Sequence, residues 1–328
     1  MERNARIFVA GHRGLLGSAL TDRLAAQGAE GAVGIITRTR EALDLTDQQA
    51  VERFFREERP EYVVLAAARV GGIIANQAFP AEFITENLLI QTNVIRSAHA
   101  AGVRRLLFFG SNCAYPMGAP QPLREERLGA GPLEPSSVPY ARAKLAGTAM
   151  CEAFNRQYGT CFLSLIPATL YGPHDNFDPE TSHVVSGLMR RLHEAKGSGR
   201  PTFSVWGSGK ALREFVYVDD LVEACLLLLW MDEGLLRRVS AASGYVINVG
   251  SGEEVSTKAL AEALQGVVGF AGQIICDSSK PEGASRKVLD STVIRRLGWR
   301  PDVPLREGLR RTYEWFVTNL AGDPAHAR

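Results

Sequence analysis

Tyr140 and Lys144 stand four residues apart in PYARAKLAG, so on a helix they share one face, one turn from each other. An ammonium beside a phenol favours the phenolate, and the pairing predicts a lowered tyrosine pKa and a usable proton donor for a carbonyl oxygen. Ser111 follows the apolar run RLLFF and Gly110, at the C-terminal end of a predicted strand, where a hydroxyl can hydrogen-bond that same oxygen. YxxxK alone is common on helices, but with a strand-end serine it points to carbonyl reduction. Cys113 and His183 add a thiol and an imidazole. On their own they read sooner as an inert buried thiol and a structural histidine than as catalytic groups.

A second group of residues suits a nucleotide. Gly11, Gly14 and Gly17 lie in GHRGLLG between a short apolar strand and an amphipathic helix, where missing side chains let backbone N–H groups approach a pyrophosphate. The spacing is GxxGxxG, a weak signal that its strand-before, helix-after context strengthens. About 20 residues on, a site selective for NAD places a carboxylate on the ribose; here the chain reads Thr37-Arg38-Thr39-Arg40. Arg38 and Arg40, with Arg13 inside the glycine turn, suit a 2′-phosphate and predict NADP(H) as cofactor. Asp44 sits below the adenine or caps the next helix.

These residues need a frame. Apolar, β-branched runs at 6–10, 33–37, 62–66, 105–109 and 162–166 alternate with helical stretches at 18–27, 47–57, 81–101 and 140–158. Such alternation predicts an α/β fold, a Rossmann-type doubly wound parallel sheet with helices on both faces. After Pro167 the alternation gives way to a loop-rich stretch through KGSGRPTFSVWGSGK, while a helix at 221–230 and a strand at 246–250 follow. The expected organisation is a cofactor domain over 1–170, to which 214–250 returns, a smaller substrate lobe over 171–320, and a loose tail at 321–328.

Composition excludes other classes. Among 328 residues, Lys and Arg total 37 and Asp and Glu 36, so a net charge of +1 offers no field for a nucleic-acid backbone or anionic membrane. The apolar run at 224–231 falls short of the roughly 18 residues of a membrane span, and the first apolar run is too short for a signal-peptide core. A cytoplasmic protein is expected. Five cysteines, an odd number without a CxxC or metal-ligand spacing, argue against disulfides and structural metal.

The motifs GHRGLLGSA, LAAARVGGIIAN, GSNCAYP, LEPSSVPYARAKLAG, YGPHDNF, SHVV, VWGSG with REFVYVDD, INVGSG, KPEGASRK and LGW run over nearly the whole chain. In them it resembles the extended short-chain dehydrogenase/reductases and, more narrowly, the GDP-L-fucose synthases, which epimerise and then reduce GDP-4-keto-6-deoxy-D-mannose. The resemblance implies Cys113 as base, His183 as acid on the opposite sugar face, Tyr140 as proton donor at C4, Ser111 as the donor that polarises O4, and Lys144 beside them. It further implies cofactor contacts from Leu15, Leu16, Lys144, Pro167, Leu170 and His183, and substrate contacts from Arg191, Trp206, Arg213, Glu282 and Lys287. His174 reads as a loop-shaping hydrogen-bond partner. The helices at 81–101 and 140–158 resemble the pair through which such enzymes form homodimers. Asn112 departs from the small hydroxyl residue usual there, and Ala168-Thr169 from the usual Thr-Asn. The competing readings are a 4-keto reductase or epimerase for another nucleotide sugar, and a non-catalytic NADP-binding protein of the same fold.

Overall fold

The structure, a computed structural model, describes residues 5–28, 34–280 and 284–321. Six parallel strands form the main sheet in the order β2-β1-β3-β4-β5-β9: β1 (Arg6–Ala10), β2 (Gly34–Ile36), β3 (Tyr62–Leu65), β4 (Arg105–Phe109), β5 (Phe162–Pro167) and β9 (Val246–Val249). Their runs are apolar without a polar face because both faces are covered. Successive side chains point to opposite sides. Ile7 and Val9 therefore join Leu20 and Leu24 of α1 (Leu15–Gly28) and Leu221 and Leu228 of α7 (Val218–Trp230). Phe8 and Ala10 join Val51, Phe54 and Phe55 of α2 (Gln48–Glu58) and Val94 and Ile95 of α4 (Pro80–Ala100). Helix α5 (Val138–Tyr158) lies against α4, where Gln91 donates to the Ala143 carbonyl at 2.7 Å. This is the doubly wound parallel sheet that the alternation predicts.

The remainder is more regular than the sequence suggests. Two short helices, α3 (Ile73–Ala78) and α8 (Glu233–Ser240), accompany the main sheet. The stretch after Pro167 holds β6 (Thr169–Tyr171), α6 (Val184–Gly197), β7 (Thr202–Trp206) and β8 (Leu212–Tyr217). Helix α6 forms because Val185, Leu188, Met189, Leu192 and Ala195 recur at helical spacing and are all buried. Partly buried Arg191 and exposed Glu194 and Lys196, set between them, hide that period among polar residues. Strand β8 pairs β6, β10 (Glu254–Ser256) and β12 (Arg286–Lys287), while β7 pairs β11 (Gln273–Asp277). Helices α9 (Thr257–Val268), α10 (Thr292–Arg296) and α11 (Leu305–Asn319) complete the chain.

Buried polar groups tie these layers together. The Asn248 N–H on β9 donates to the Glu125 carboxylate at 3.1 Å, and its side-chain amide accepts from the Tyr115 hydroxyl at 2.7 Å. Glu214 on β8 accepts from the Gly252 N–H at 2.6 Å and the Leu289 N–H at 2.8 Å. Burial pushes both Glu125 and Glu214 above the usual carboxylate range.

Candidate active site

β1 is followed by Gly11, whose φ of 85° carries the chain into α1. A Cβ there would lie 2.7 Å from the Ala67 nitrogen, and one on Gly17 only 2.0 Å from the Gly11 carbonyl oxygen. Only glycine fits either place. At Gly14 a Cβ would meet nothing nearer than the Gly11 oxygen at 3.6 Å, so the packing of the protein does not require glycine there. The bare turn over the α1 N-terminus, which Leu15 and buried Leu16 begin, fits a dinucleotide pyrophosphate.

The three arginines are used differently. Glu41 is held below its ordinary range by its own backbone hydrogen bond and the Thr39 hydroxyl, with smaller pulls from Arg13 and Arg40, so both guanidiniums lie near one carboxylate. Arg40 is 71% exposed, with Glu86 3.9 Å away. Arg38 instead reaches Glu58 at 2.5 Å and the Thr37 carbonyl at 2.8 Å, with its guanidinium over Phe54. Asp44 caps no helix: it accepts from the Thr46 N–H at 2.9 Å and hydroxyl at 2.8 Å, while Asp47 caps α2.

The end of β4 and the start of α5 bring the reducing set together. Ser111 follows Gly110, and its hydroxyl accepts the Cys113 N–H at 3.1 Å, which opens a short 3-10 turn at Asn112–Ala114. Through that turn Cys113 comes near enough for its charge to act on the phenol that Ser111 hydrogen-bonds, that of Tyr140. The Cys113 thiol also points to the Asn112 amide oxygen at 3.8 Å. Tyr140 packs edge-on against Phe83, with ring centroids 6.2 Å apart. Lys144 is buried one turn along, its Nζ 4.9 Å from the Phe108 ring centroid and 5.9 Å from that of Tyr140.

Here the electrostatics correct the sequence reading. Burial pushes the Tyr140 phenol well up, a charge on Cys113 adds to that, and only the Ser111 hydrogen bond pulls it down. Burial also pushes Lys144 down to about 8, which leaves it charged at neutral pH but does not outweigh the burial of the phenol. Tyr140 is therefore held as a proton-bearing phenol, the form that can donate.

His183 stands at the head of α6. Its ring makes no cap hydrogen bond, and its Nδ1 lies 4.0 Å from the Asp175 carboxylate. The preceding segment is docked on the loop after β3, where the Gly72 N–H donates to the Thr181 carbonyl at 3.0 Å. Pro167 ends β5 beside Val249, and Leu170 pairs Val216 across β6 and β8. Arg191 of α6 reaches the Ser204 carbonyl at 2.9 Å and lies 6.0 Å from the ring of half-exposed Trp206. Arg213 and Lys287 are neighbours in register on β8 and β12. The structure thus groups Arg191 with Trp206 and Arg213 with Lys287; Glu282 lies outside the described residues.

His174 differs from its expected role: it sits at a φ of 63° and packs its ring on Trp315, 4.7 Å between centroids. The residue that sequence reasoning passed over is the next one, Asp175. The motif YGPHDNF contains it, but only the folded turn shows its side chain to be 5% exposed and facing His183. A cavity of about 890 Å³ opens elsewhere, lined by Tyr62, His99, Arg105, Cys161 and Trp230 among others, and holds none of these residues.

Residues 7–250 match the NAD dependent epimerase/dehydratase family. The chain is 50% identical over 320 residues to a putative GDP-L-fucose synthase 2 of Arabidopsis thaliana, covering 98% of this chain and 94% of that protein. It is 46% identical over 314 residues to the GDP-L-fucose synthase of Escherichia coli K12, covering 96% and 97%. A GDP-mannoheptose C4 reductase from Campylobacter jejuni, solved with NADP bound, superposes with a TM-score of 0.86 at 37% identity over 97% of this chain and 99% of that one. With its glycine turn, its strand-end serine and its Tyr140–Lys144 helix in one parallel sheet, the chain belongs to the NAD dependent epimerase/dehydratase family, in the branch whose named members include the GDP-L-fucose synthases.

Proposed function

We propose that this chain converts GDP-4-keto-6-deoxy-D-mannose to GDP-L-fucose, by epimerisation at C3 and C5 followed by reduction at C4. The observation that carries this reading is that Cys113, whose N–H donates to the Ser111 hydroxyl, and Ser111 both act electrostatically on the Tyr140 phenol. A ketone at C4 acidifies the hydrogens on both flanking carbons. Cys113, as thiolate, takes one of them; Ser111 and Tyr140 hydrogen-bond the oxyanion that forms on O4. His183 returns a proton to the opposite face, and both groups reset against solvent. When bound, NADPH supplies the hydride for C4. Tyr140 then gives its proton to O4, and Lys144, close under that ring, stabilises the phenolate left behind.

Gly11, Gly14, Gly17, Leu15 and Leu16 would hold the cofactor pyrophosphate, Arg13 and Arg40 its 2′-phosphate, and Asp44, Lys144, Pro167, Leu170 and His183 the rest of its length. Arg38, tied to Glu58, would support the adenosine pocket at its edge. Arg191 with Trp206 and Arg213 with Lys287 would hold the GDP-sugar, the cations facing its diphosphate. The first domain would span 1–170 with 214–250, and the substrate lobe most of 171–320. Two chains would pair through α4, on which Leu89 is 43% exposed, and α5; sedimentation at micromolar concentration should show a dimer. Among the described residues no helix is long and apolar enough to cross a membrane. The free thiols of Cys113, Cys151, Cys161, Cys225 and Cys276 suit a reducing compartment, the cytoplasm.

The test is incubation with the 4-keto sugar in deuterated water without NADPH. Label at both C3 and C5 is expected; its absence from both removes the epimerase half. A second reading, a C4 reductase only, is favoured by the likeness to the Campylobacter enzyme. It requires turnover to survive Cys113→Ser.

A further inference from the structure

We propose that Asp175 is a positioning residue for His183, fixing which ring nitrogen faces the sugar; this rests on the reading of His183 as the acid. The turn that follows β6 is bent at two unusual residues, Gly172 with a φ of 156° and His174 with a φ of 63°. A non-glycine residue at positive φ persists only where its surroundings hold it there. The holder here is α11: His174 packs on Trp315, and Phe177 packs on Trp315 and Phe316. With His174 turned outward against α11, Asp175 is turned in.

Its carboxylate is 95% buried and incompletely satisfied. One oxygen accepts the Asn176 N–H at 2.8 Å and lies 4.0 Å from the His183 Nδ1; the other has no hydrogen-bond partner among the described residues. A buried carboxylate oxygen without a partner is costly, and such groups concentrate where function needs them. The His183 Nδ1 lies 4.0 Å from the oxygen that also accepts the Asn176 N–H, and a shift of about 1 Å brings the imidazole within hydrogen-bond range of this carboxylate.

Both residues ride on one braced segment. Asp178 accepts from the Glu180 N–H and the Thr181 N–H, each at 2.9 Å, Asn176 donates to the Thr181 hydroxyl at 2.8 Å, and Arg190 donates to the Phe177 carbonyl at 3.1 Å. The His183 side chain, 40% exposed, makes no cap bond on the α6 N-terminus, and among the described residues no other hydrogen bond holds it there. A carboxylate on Nδ1–H selects one tautomer and leaves Nε2 as the nitrogen that gives and recovers the proton.

The experiment compares wild type with Asp175→Asn and Asp175→Glu. It reads C3/C5 deuterium uptake without NADPH, NADPH affinity, thermal stability, and the His183 imidazole 15N signals, assigned by their loss in His183→Gln. Asp175→Asn is expected to slow uptake on the order of 10²-fold, less than the ~10⁴-fold seen for a buried catalytic triad, and to move the Nδ1 signal. NADPH affinity and melting temperature should stay near wild type, and Asp175→Glu should recover part of both losses. Uptake within threefold of wild type, or slowed uptake with the imidazole signal unaltered, overturns the proposal. If Asp175→Asn does not fold, Asp175→Glu is scored on the same two readouts against wild type, with a smaller displacement expected in each. If the wild type takes up no label, the epimerase reading has failed; the imidazole signal then decides alone, and an unaltered Nδ1 in the variant refutes the role of Asp175.

Discussion

The two halves of the site are built on different kinds of backbone. Ser111, Tyr140 and Lys144 come from the end of one buried strand and the first turns of one long helix, with Lys144 fully sheltered against Phe108. Cys113 and His183 come from a three-residue 3-10 turn and from a helix head reached through a strained loop, and the His183 side chain is well exposed. Hydride chemistry asks for a dry, fixed donor beside one carbon. Epimerisation at two carbons asks that a base and an acid serve both, and that each regain or lose its proton to water. The first requirement suits rigid elements and the second suits turns at their edges.

The largest effect expected of any single change separates these halves. Tyr140→Phe should lower C4 reduction by about 10³-fold, within the range of general acid catalysis, while C3/C5 deuterium uptake falls far less because Ser111 still holds the oxyanion. Equal losses in both assays would show that the halves are not separable. Next in size, Cys113→Ser should reduce uptake on the order of 10²-fold and leave reduction of an already epimerised ketone intact, as stopped-flow NADPH oxidation would register.

A moderate effect belongs to pH. A lysine brought down to about 8 loses its ammonium as the pH rises through that value, so the charge that supports Tyr140 is present below it and gone above. kcat/KM for reduction should fall several-fold between pH 7 and 9, about one pKa's worth of titration, and Lys144→Arg should remove that limb. Deuterium uptake, which does not send Tyr140 through a phenolate, should lack it. The smallest effect concerns the cofactor edge. Arg38→Ala should raise the KM for NADPH by less than about threefold, since its half-exposed pair with Glu58 is worth ~0–1 kcal/mol, whereas Arg40→Ala should raise it more.

Legibility in the sequence follows the same division. The parallel sheet, the glycine turn and the YxxxK helix were readable because strand and helix periods and i,i+4 spacing are local. The state of Tyr140 was not, because burial, a property of the whole fold, outweighs the neighbouring ammonium. Nor were the uses of Arg38 and Asp44, which depend on Glu58 lying across the sheet edge and on a Thr46 hydroxyl. Cys113 and His183 acquire meaning from family resemblance; spacing alone says nothing of two residues on separate turns. Helix α6 is hard to read because its apolar stripe is interleaved with charge, and Asp175 because its inward turn depends on Trp315, 140 positions further along.

One strand sets the timetable of synthesis. β5 finds its outer neighbour only in β9, with Ser164 opposite Val246, and between them the chain builds most of a second layer. Until residue 249 is available, β5 is an open edge able to accept a strand from any other chain. A fragment ending near residue 170 should accordingly aggregate rather than bind nucleotide, however complete its glycine turn, and the exposed stage of folding lasts while those intervening residues are being made.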